Sequence, residues 1–435
     1  MTILKWAARH GLIKVVLRRA ARRGEPQAVM MFDRAARANP FPIYDQIRSH
    51  GPISRGGLTY VAPSHEAVSA VLRSDVFRVG LHVASVPWFM RQVLNRRGGG
   101  RVIGPIDPPS LLAVNPPQHT RYRRQVAKVF TPRAISALEP RIRQTAEELL
   151  DDLSHQDVVD LVESYAALLP VTVISEILGV PLAMRTQFLE WGNQAASDLD
   201  VGLSYREYAA SERGIRSLNQ WMYGHIERLR RNPGDDLLSQ LITVEDDGVR
   251  MTDVELMSTA GLLLAAGFET TVNLIGTGAH VLLTHPDQLQ LLSDDPDLWA
   301  NAVDEILRFD SPVQNTARYA AAETEICGVP IPEGAFVSVL IGGANRDPKV
   351  FPDPNRFDVR RSNAREHLAF SAGVHYCIGA ALARAEGRIG LQVLFERYPE
   401  LELAGTPTRR QTRTLRGFQS LPVRTRRHEG IVSTW

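Results

Sequence analysis

The chain has 435 residues, 44% of them hydrophobic and 23% charged, which suits a globular protein able to bury a large core and enclose a bulky ligand. Its two cysteines, Cys327 and Cys377, exclude a disulfide framework and a multi-cysteine zinc or iron–sulfur site, and fit a reducing cytoplasm. The net charge of +2 hides two basic ends: residues 1–25 and 405–435 each carry seven Lys/Arg against one acid, and the stretch between them has a net charge of −10.

Residues 1–25 place Ile3, Leu4, Trp6, Leu12, Ile13, Val16 and Leu17 among Lys5, Arg9, Lys14, Arg18 and Arg19, a basic amphipathic helix ahead of a single domain over 26–435. The segment lacks the apolar stretch and small-residue cleavage site of a signal peptide. Packing on the body is the preferred reading over contact with a membrane surface. No stretch reaches 18 uninterrupted apolar residues, so no transmembrane helix is expected. Residues 78–118, with Gly98-Gly99-Gly100 and several prolines, read as a long loop without the spacing of a phosphate-binding loop. Apolar spacing predicts helices over 133–152, 205–231, 253–284, 298–309 and 378–397. Strand-like runs fall at 58–62, 325–331, 335–341 and 418–424, and residues 342–376 form a second long loop. The fold class is mainly α with small β-sheets.

Four segments carry chemistry. In Asn115-Pro-Pro-Gln-His119-Thr-Arg-Tyr-Arg123-Arg, the prolines set a helix start and His119 and Arg123 share one face. In Ala266-Gly267-Phe268-Glu269-Thr270-Thr271, a mid-helix glycine, an acid and two threonines interrupt an apolar stretch, and a threonine hydroxyl there can bond back to an earlier carbonyl and open the helix locally. Glu305-Ile-Leu-Arg308 puts opposite charges on one helix face, a weak signal alone. In Phe370-Ser371-Ala-Gly373-Val-His375-Tyr-Cys377-Ile378-Gly379, the cysteine ends a glycine-containing loop and precedes a helix, whose positive end favours a thiolate. Gly373 and Gly379 leave room for a flat ligand. No GxSxG or HExxH occurs, so serine-hydrolase and zinc-protease readings have no local support.

The last segment matches the FxxGxxxCxG haem-binding loop, and the chain resembles the cytochromes P450 from about Pro40 to Val423, in the style of soluble bacterial, particularly actinobacterial, members. The resemblance implies haem b buried between a long central helix and the Cys377 loop, with Cys377 as the axial iron ligand. Glu269 and Thr270 match the family's acid–alcohol pair, a proton relay for dioxygen activation. His119, Arg123, Arg318 and His375 match propionate-binding positions. Leu112, Ala266, Gly267, Thr270, Phe370, Ser371, Gly373, Ile378, Gly379 and Ala383 would line the haem. Glu305 and Arg308 match the ExxR pair, with Arg356 as the third member that fixes the loop leading to Cys377. Ala344-Asn-Arg-Asp-Pro348 and Arg416–Pro422 fit later family loops, and Asn115 departs from a usual Asp, which puts a local cap in question.

The implied activity is mono-oxygenation of an apolar organic molecule with O2. No flavin or nicotinamide motif is present, so electrons would come from a ferredoxin and its reductase, drawn by Arg121, Arg124, Lys128 and Arg388. Substrate contacts would come from 79–112, 185–210, Leu262–Ala266, Val313–Thr316 and Phe418. The alternatives are a peroxide-driven peroxygenase and a non-catalytic haem-binding sensor or carrier. No nucleic-acid partner is expected.

Overall fold

The computed structural model describes residues 2–57, 59–80, 103–153 and 156–425. Most of the 78–118 loop, including Gly98–Gly100, lies outside them. The expected helices appear as Pro132–Leu153, Tyr205–Arg231, Asp253–Leu283, Trp299–Phe309 and Ala380–Arg397. The strand-like runs appear as Tyr60–Ala62, Thr324–Ile326 with Val329–Ile331, Phe336–Val339, and Phe418–Ser420 with Pro422–Arg424. The largest sheet has five strands, in the order Ser54–Arg55, Tyr60–Ala62, Phe336–Val339, Thr316–Ala320, Phe77–Arg78. Tyr60–Ala62 runs parallel to Phe336–Val339, and the remaining neighbours are antiparallel.

The Asp253–Leu283 helix starts at a capping box. Thr252 accepts from the Glu255 amide at 3.4 Å, and the Glu255 carboxylate accepts from the Thr252 amide at 2.9 Å. This helix is long and apolar enough to cross a membrane by length and composition, which the sequence reading did not expect, but its apolar side chains are packed inside the protein. Against it lies the Ala380–Arg397 helix, which follows Cys377. A Cβ on Gly387 would come within 2.8 Å of Leu274, and one on Gly278 within 2.6 Å of Leu391, so glycine permits the close crossing. The Cys377-bearing loop is thereby held at a fixed height beside the central helix.

The Trp299–Phe309 helix organises the long loop that leads to the cysteine. Arg308 is fully buried and binds Glu305 through Nε at 2.6 Å and Nη2 at 2.8 Å. Its remaining donors reach the carbonyls of Asn345, Pro354 and Arg356. The third member of the network is Arg361, whose Nε reaches Glu305 Oε1 at 3.1 Å. Arg356 does not fill that place: its side chain is 66% exposed, 3.9 Å from Asp358. Arg356 lies in a turn closed by its amide on Asp353, which turns its side chain outward and its carbonyl inward, toward Arg308 and Arg361.

A buried pair is destabilised most when one partner is removed. Arg361→Ala should lower stability by about 3–5 kcal/mol, and Arg356→Ala by less than about 1 kcal/mol. Urea unfolding of the two variants measures this, and a larger loss for Arg356→Ala would contradict the assignment.

Candidate haem-thiolate site

The Cys377 loop is shaped by its backbone. Ser371 and Gly373 both adopt left-handed conformations, at φ +63° and +66°. A Cβ on Gly373 would sit 2.3 Å from the Leu72 carbonyl oxygen, so only glycine fits there. The Ser371 amide donates to Leu368 O at 2.8 Å and the Cys377 amide to Phe370 O at 2.9 Å, which closes the loop on itself. Phe370 is buried in the main core. Arg384 stacks over its ring at 4.6 Å and bonds the Tyr376 hydroxyl at 3.3 Å.

A second acid, Asp304, ties both flanks of this loop to the Trp299–Phe309 helix. Arg365 and His367, before the cysteine, reach it at 3.1 and 3.2 Å, and Arg384, after the cysteine, reaches it at 2.7 Å. Burial alone would raise the Asp304 pKa, but bonds from His367 and Arg384 overcome it and hold the group at about 2. Sequence reasoning missed this residue, although it stands directly beside Glu305.

Cys377 is exposed by surface area, yet surrounded closely enough that burial pushes its thiol pKa up. The Gly379 amide and the charges of Arg123 and Arg384 pull the other way but do not prevail. A metal cation bound at the sulfur would stabilise the thiolate. The helix after Cys377 packs on the Asp253–Leu283 helix, whose middle is itself left open. There Ala266 is exposed and Thr270 half-exposed, inside a helix that is otherwise largely buried. These two residues, one turn apart, form a window onto an internal cleft. Leu112 is likewise exposed, and Ile378, Gly379 and Ala383 are half-buried.

Four basic side chains, two arginines and two imidazoles, come together near the cysteine. His119 and Arg123 lie on the Gln118–Val129 helix, Arg318 on the Thr316–Ala320 strand and His375 in the cysteine loop. The rings of His119 and His375 are 4.2 Å apart. Burial lowers His375 to about 3, helped by His119, Arg318 and Arg123. Burial also lowers His119 to about 4, with Arg123 adding to it, and Arg318 to about 10. Among the described residues no acid pairs with any of the four, and His119 Nε2 is buried without a partner. Two arginines and two imidazoles without a carboxylate are a receptor for a ligand that carries its own carboxylates. Haem, with two propionates, fits this donor set, the cleft and the thiol together.

Other expected residues are placed differently. Gly267 does not face the cleft: a Cβ there would meet Ile174 at 3.1 Å, so the glycine serves packing on the Leu168–Ile177 helix. Thr270 and Thr271 donate to the carbonyls of Ala266 and Gly267 at 2.9 and 3.1 Å, as the back-bonding reading anticipates, while the helix assignment stays continuous. Glu269 is buried, and its Oε1 accepts from Arg410 Nη1 at 2.7 Å. The same Nη1 reaches Asn193 Oδ1 at 2.9 Å. Burial raises the Glu269 pKa and Arg410 opposes the rise. Arg410 was missed because nothing in the basic C-terminal stretch sets it apart. Glu386, buried beside Thr271 and driven well above the usual carboxylate range by desolvation, was also missed. Asn115 makes no cap: its amide donates to Val79 O and accepts from Val79 N, both at 3.0 Å, a pairing a carboxylate could not complete.

The four cations expected to draw a ferredoxin are already paired: Arg121 with Glu255, Arg124 and Lys128 with Asp246, and Arg388 with Glu139. Of the expected substrate contacts, Phe418 is buried against His280 and Arg409 rather than open. A small cavity of about 20 Å³, room for about one water, lies between Ile103–Pro105, Ala195, Ile215, Leu218, Asn219 and the first half of the central helix at Met257–Ala265.

A thiol loop, an opposed window in a core helix and a carboxylate receptor define a haem-thiolate class of site. The family model "Cytochrome P450" matches residues 297–424. The chain is 49% identical over 424 residues to the putative cytochrome P450 140 of Mycobacterium tuberculosis, covering 97% of both chains. It is 46% identical over 316 residues to the 6-deoxyerythronolide B hydroxylase of Saccharopolyspora erythraea, covering 71% of this chain and 76% of that one. The crystal structure of CYP164A2 from Mycobacterium smegmatis superposes with a TM-score of 0.81 at 34% identity, over 91% of this chain and 98% of that one. The chain belongs to the cytochrome P450 family of haem-containing monooxygenases.

The Asp304 environment predicts an acid-sensitive loop. A carboxylate held at about 2 when folded, against 3.8 in its ordinary state, stabilises the fold above about pH 4, and this contribution is lost as pH falls through 2. It amounts to about 2 kcal/mol. Acid unfolding of Asp304→Asn should show a pH-dependent loss smaller by that amount; an unchanged acid limb would contradict it.

Proposed function

We propose that the protein inserts one oxygen atom of O2 into an apolar organic substrate, taking electrons one at a time from a ferredoxin served by a flavoprotein reductase. The observation that carries this reading is the turn Ala266–Thr270. Ala266 and Thr270 are left open in an otherwise buried helix, and the residue between them, Glu269, is a buried acid tethered to Arg410. When bound, haem supplies a thiolate-held iron at which dioxygen is activated. The chain's own residues do the rest. His119, Arg123, Arg318 and His375 would hold the propionates. The Thr270 hydroxyl, released from Ala266 O, would offer a proton toward the cleft, and Glu269 would resupply it when Arg410 lets go.

The cofactor in this reading is haem b. Attachment through a CxxCH motif is unavailable, since Cys327 stands alone in a turn and Cys377 is the ligand. Because Arg121, Arg124, Lys128 and Arg388 are internally paired, electrostatic steering of a ferredoxin would be modest. The exposed Val374 and Tyr376 of the cysteine loop would add apolar contact. A cytoplasmic location suits the two free thiols.

Compounds found by spin-state titration would be turned over with ferredoxin, reductase and isotopically labelled dioxygen. One labelled atom should appear in the product. Thr270→Ala should lower product per electron pair by on the order of 100-fold while electron consumption continues. Equal product yield from Thr270→Ala, or turnover with peroxide but none with ferredoxin, would overturn the reading.

A further inference from the structure

The N-terminal segment uses one side to grip the body and leaves another uncovered. Thr2–Trp6, Ala7–Gly11 and Leu12–Arg22 run on from one another as helical turns. On the inner side, Trp6 Nε1 donates to Leu203 O at 3.0 Å, His10 Nδ1 accepts from Leu203 N at 3.4 Å, and Leu17 is buried. Arg9 pairs with Asp107, and the rings of Trp6 and Tyr205 lie 5.9 Å apart. This is the packing the sequence pattern favours.

Within Leu12–Arg22 and the residue after it, Leu12, Val15, Val16, Arg19, Arg22 and Arg23 fall on the opposite side, within about 120° of arc at 100° per residue. All six are exposed, Leu12 by 61% and Val15 by 51%. Ile3, Val201 and Tyr205 are exposed as well, and the last two border the segment through the contacts of Trp6 with Tyr205 and of Lys14 with Gly202. Leu12, Val15 and Val16, three of the fifteen large hydrophobic side chains exposed among the described residues, thus fall together on one face. Among the described residues Arg19, Arg22 and Arg23 have no acidic partner, whereas the body over 26–404 has a net charge of −10.

Exposed aliphatic side chains alternating with unpaired arginines match a bilayer interface, where the aliphatics enter the acyl boundary and the arginines meet lipid phosphates. We propose that this outward face, Leu12, Val15 and Val16 with Arg19, Arg22 and Arg23, docks the enzyme reversibly on an anionic phospholipid surface. Either signal alone gives marginal binding, and the two together give a stable but salt-sensitive association. The two readings of the N-terminal segment are thus compatible, because different sides of one helix serve each.

The test uses the full-length holoprotein, sedimented with vesicles of phosphatidylcholine alone or mixed with phosphatidylglycerol. Binding is expected to the mixed vesicles only, and to fade toward 1 M salt, where screening extends to about 3 Å. Arg19→Gln/Arg22→Gln/Arg23→Gln should lower partitioning by on the order of 100-fold. Leu12→Asp/Val15→Asp should lower it by on the order of 10-fold or more. All substituted positions are exposed, and an unchanged haem spectrum checks that the variants are folded. Equal binding of wild type and variants, or no binding to the mixed vesicles, would overturn the proposal. So would a concentration-dependent dimer that Leu12→Asp abolishes in size-exclusion chromatography, which would assign the face to a second copy.

Discussion

Asp304 and Glu305 are neighbours on one helix, and between them they hold the chain that delivers the cysteine. Glu305 gathers Arg308, Arg361 and the Asp358 amide, which fixes the stretch from Asn345 to Arg361. Asp304 gathers Arg365, His367 and Arg384, which fixes both sides of the loop around Cys377. Both carboxylates are fully buried, so each would be strongly unfavourable without its cations. The pairing makes the loop geometry all-or-none: loosening either anchor leaves an unpaired charge in the core. A metal ligand needs such support, because a thiolate displaced by an ångström no longer meets its metal.

The other half of the site gathers basic side chains, with His119 Nε2 buried and without a partner. Among the described residues His119, Arg123, Arg318 and His375 converge without an acid, an arrangement that an incoming dicarboxylate would complete. The central helix contributes a gap in its own packing at Ala266 and Thr270. Behind that gap, Arg410 holds Glu269 from the C-terminal hairpin, so the acid that would resupply protons is tied to an element remote in sequence. The carboxylate receptor, the proton-bearing turn and the thiol loop come from different parts of the chain, and the close crossing at Gly387 and Gly278 brings the last two into register.

Much of this was legible in the residues. The helices of the core are long and strongly periodic, and Cys377, Thr270, His119 and Arg318 stand in recognisable surroundings. What escaped was partnership across sequence distance. Arg356 and Arg361 are both arginines of one proline-rich loop, and only the fold shows which of them points inward. Asp304 looks like any acid on a helix until Arg384 and His367 are brought to it. Gly267 sits in the motif that marks the site, yet its hydrogen faces Ile174. The ferredoxin-facing cations were chosen by charge alone, and the acids that neutralise them come from a hairpin near Asp246 and from other helices. In the N-terminal helix, periodicity alone does not show that Leu17 faces the body while Leu12, Val15 and Val16 face outward.

The buried acid beside Glu305 would set the cysteine for thiolate ligation. The absorption spectrum of reduced, carbon-monoxide-treated Asp304→Asn protein tests it most directly. The thiolate-type band should weaken in favour of the band of a neutral thiol or other weak ligand, while total haem is retained at low temperature. A variant with the full thiolate band, equal to wild type, would contradict it.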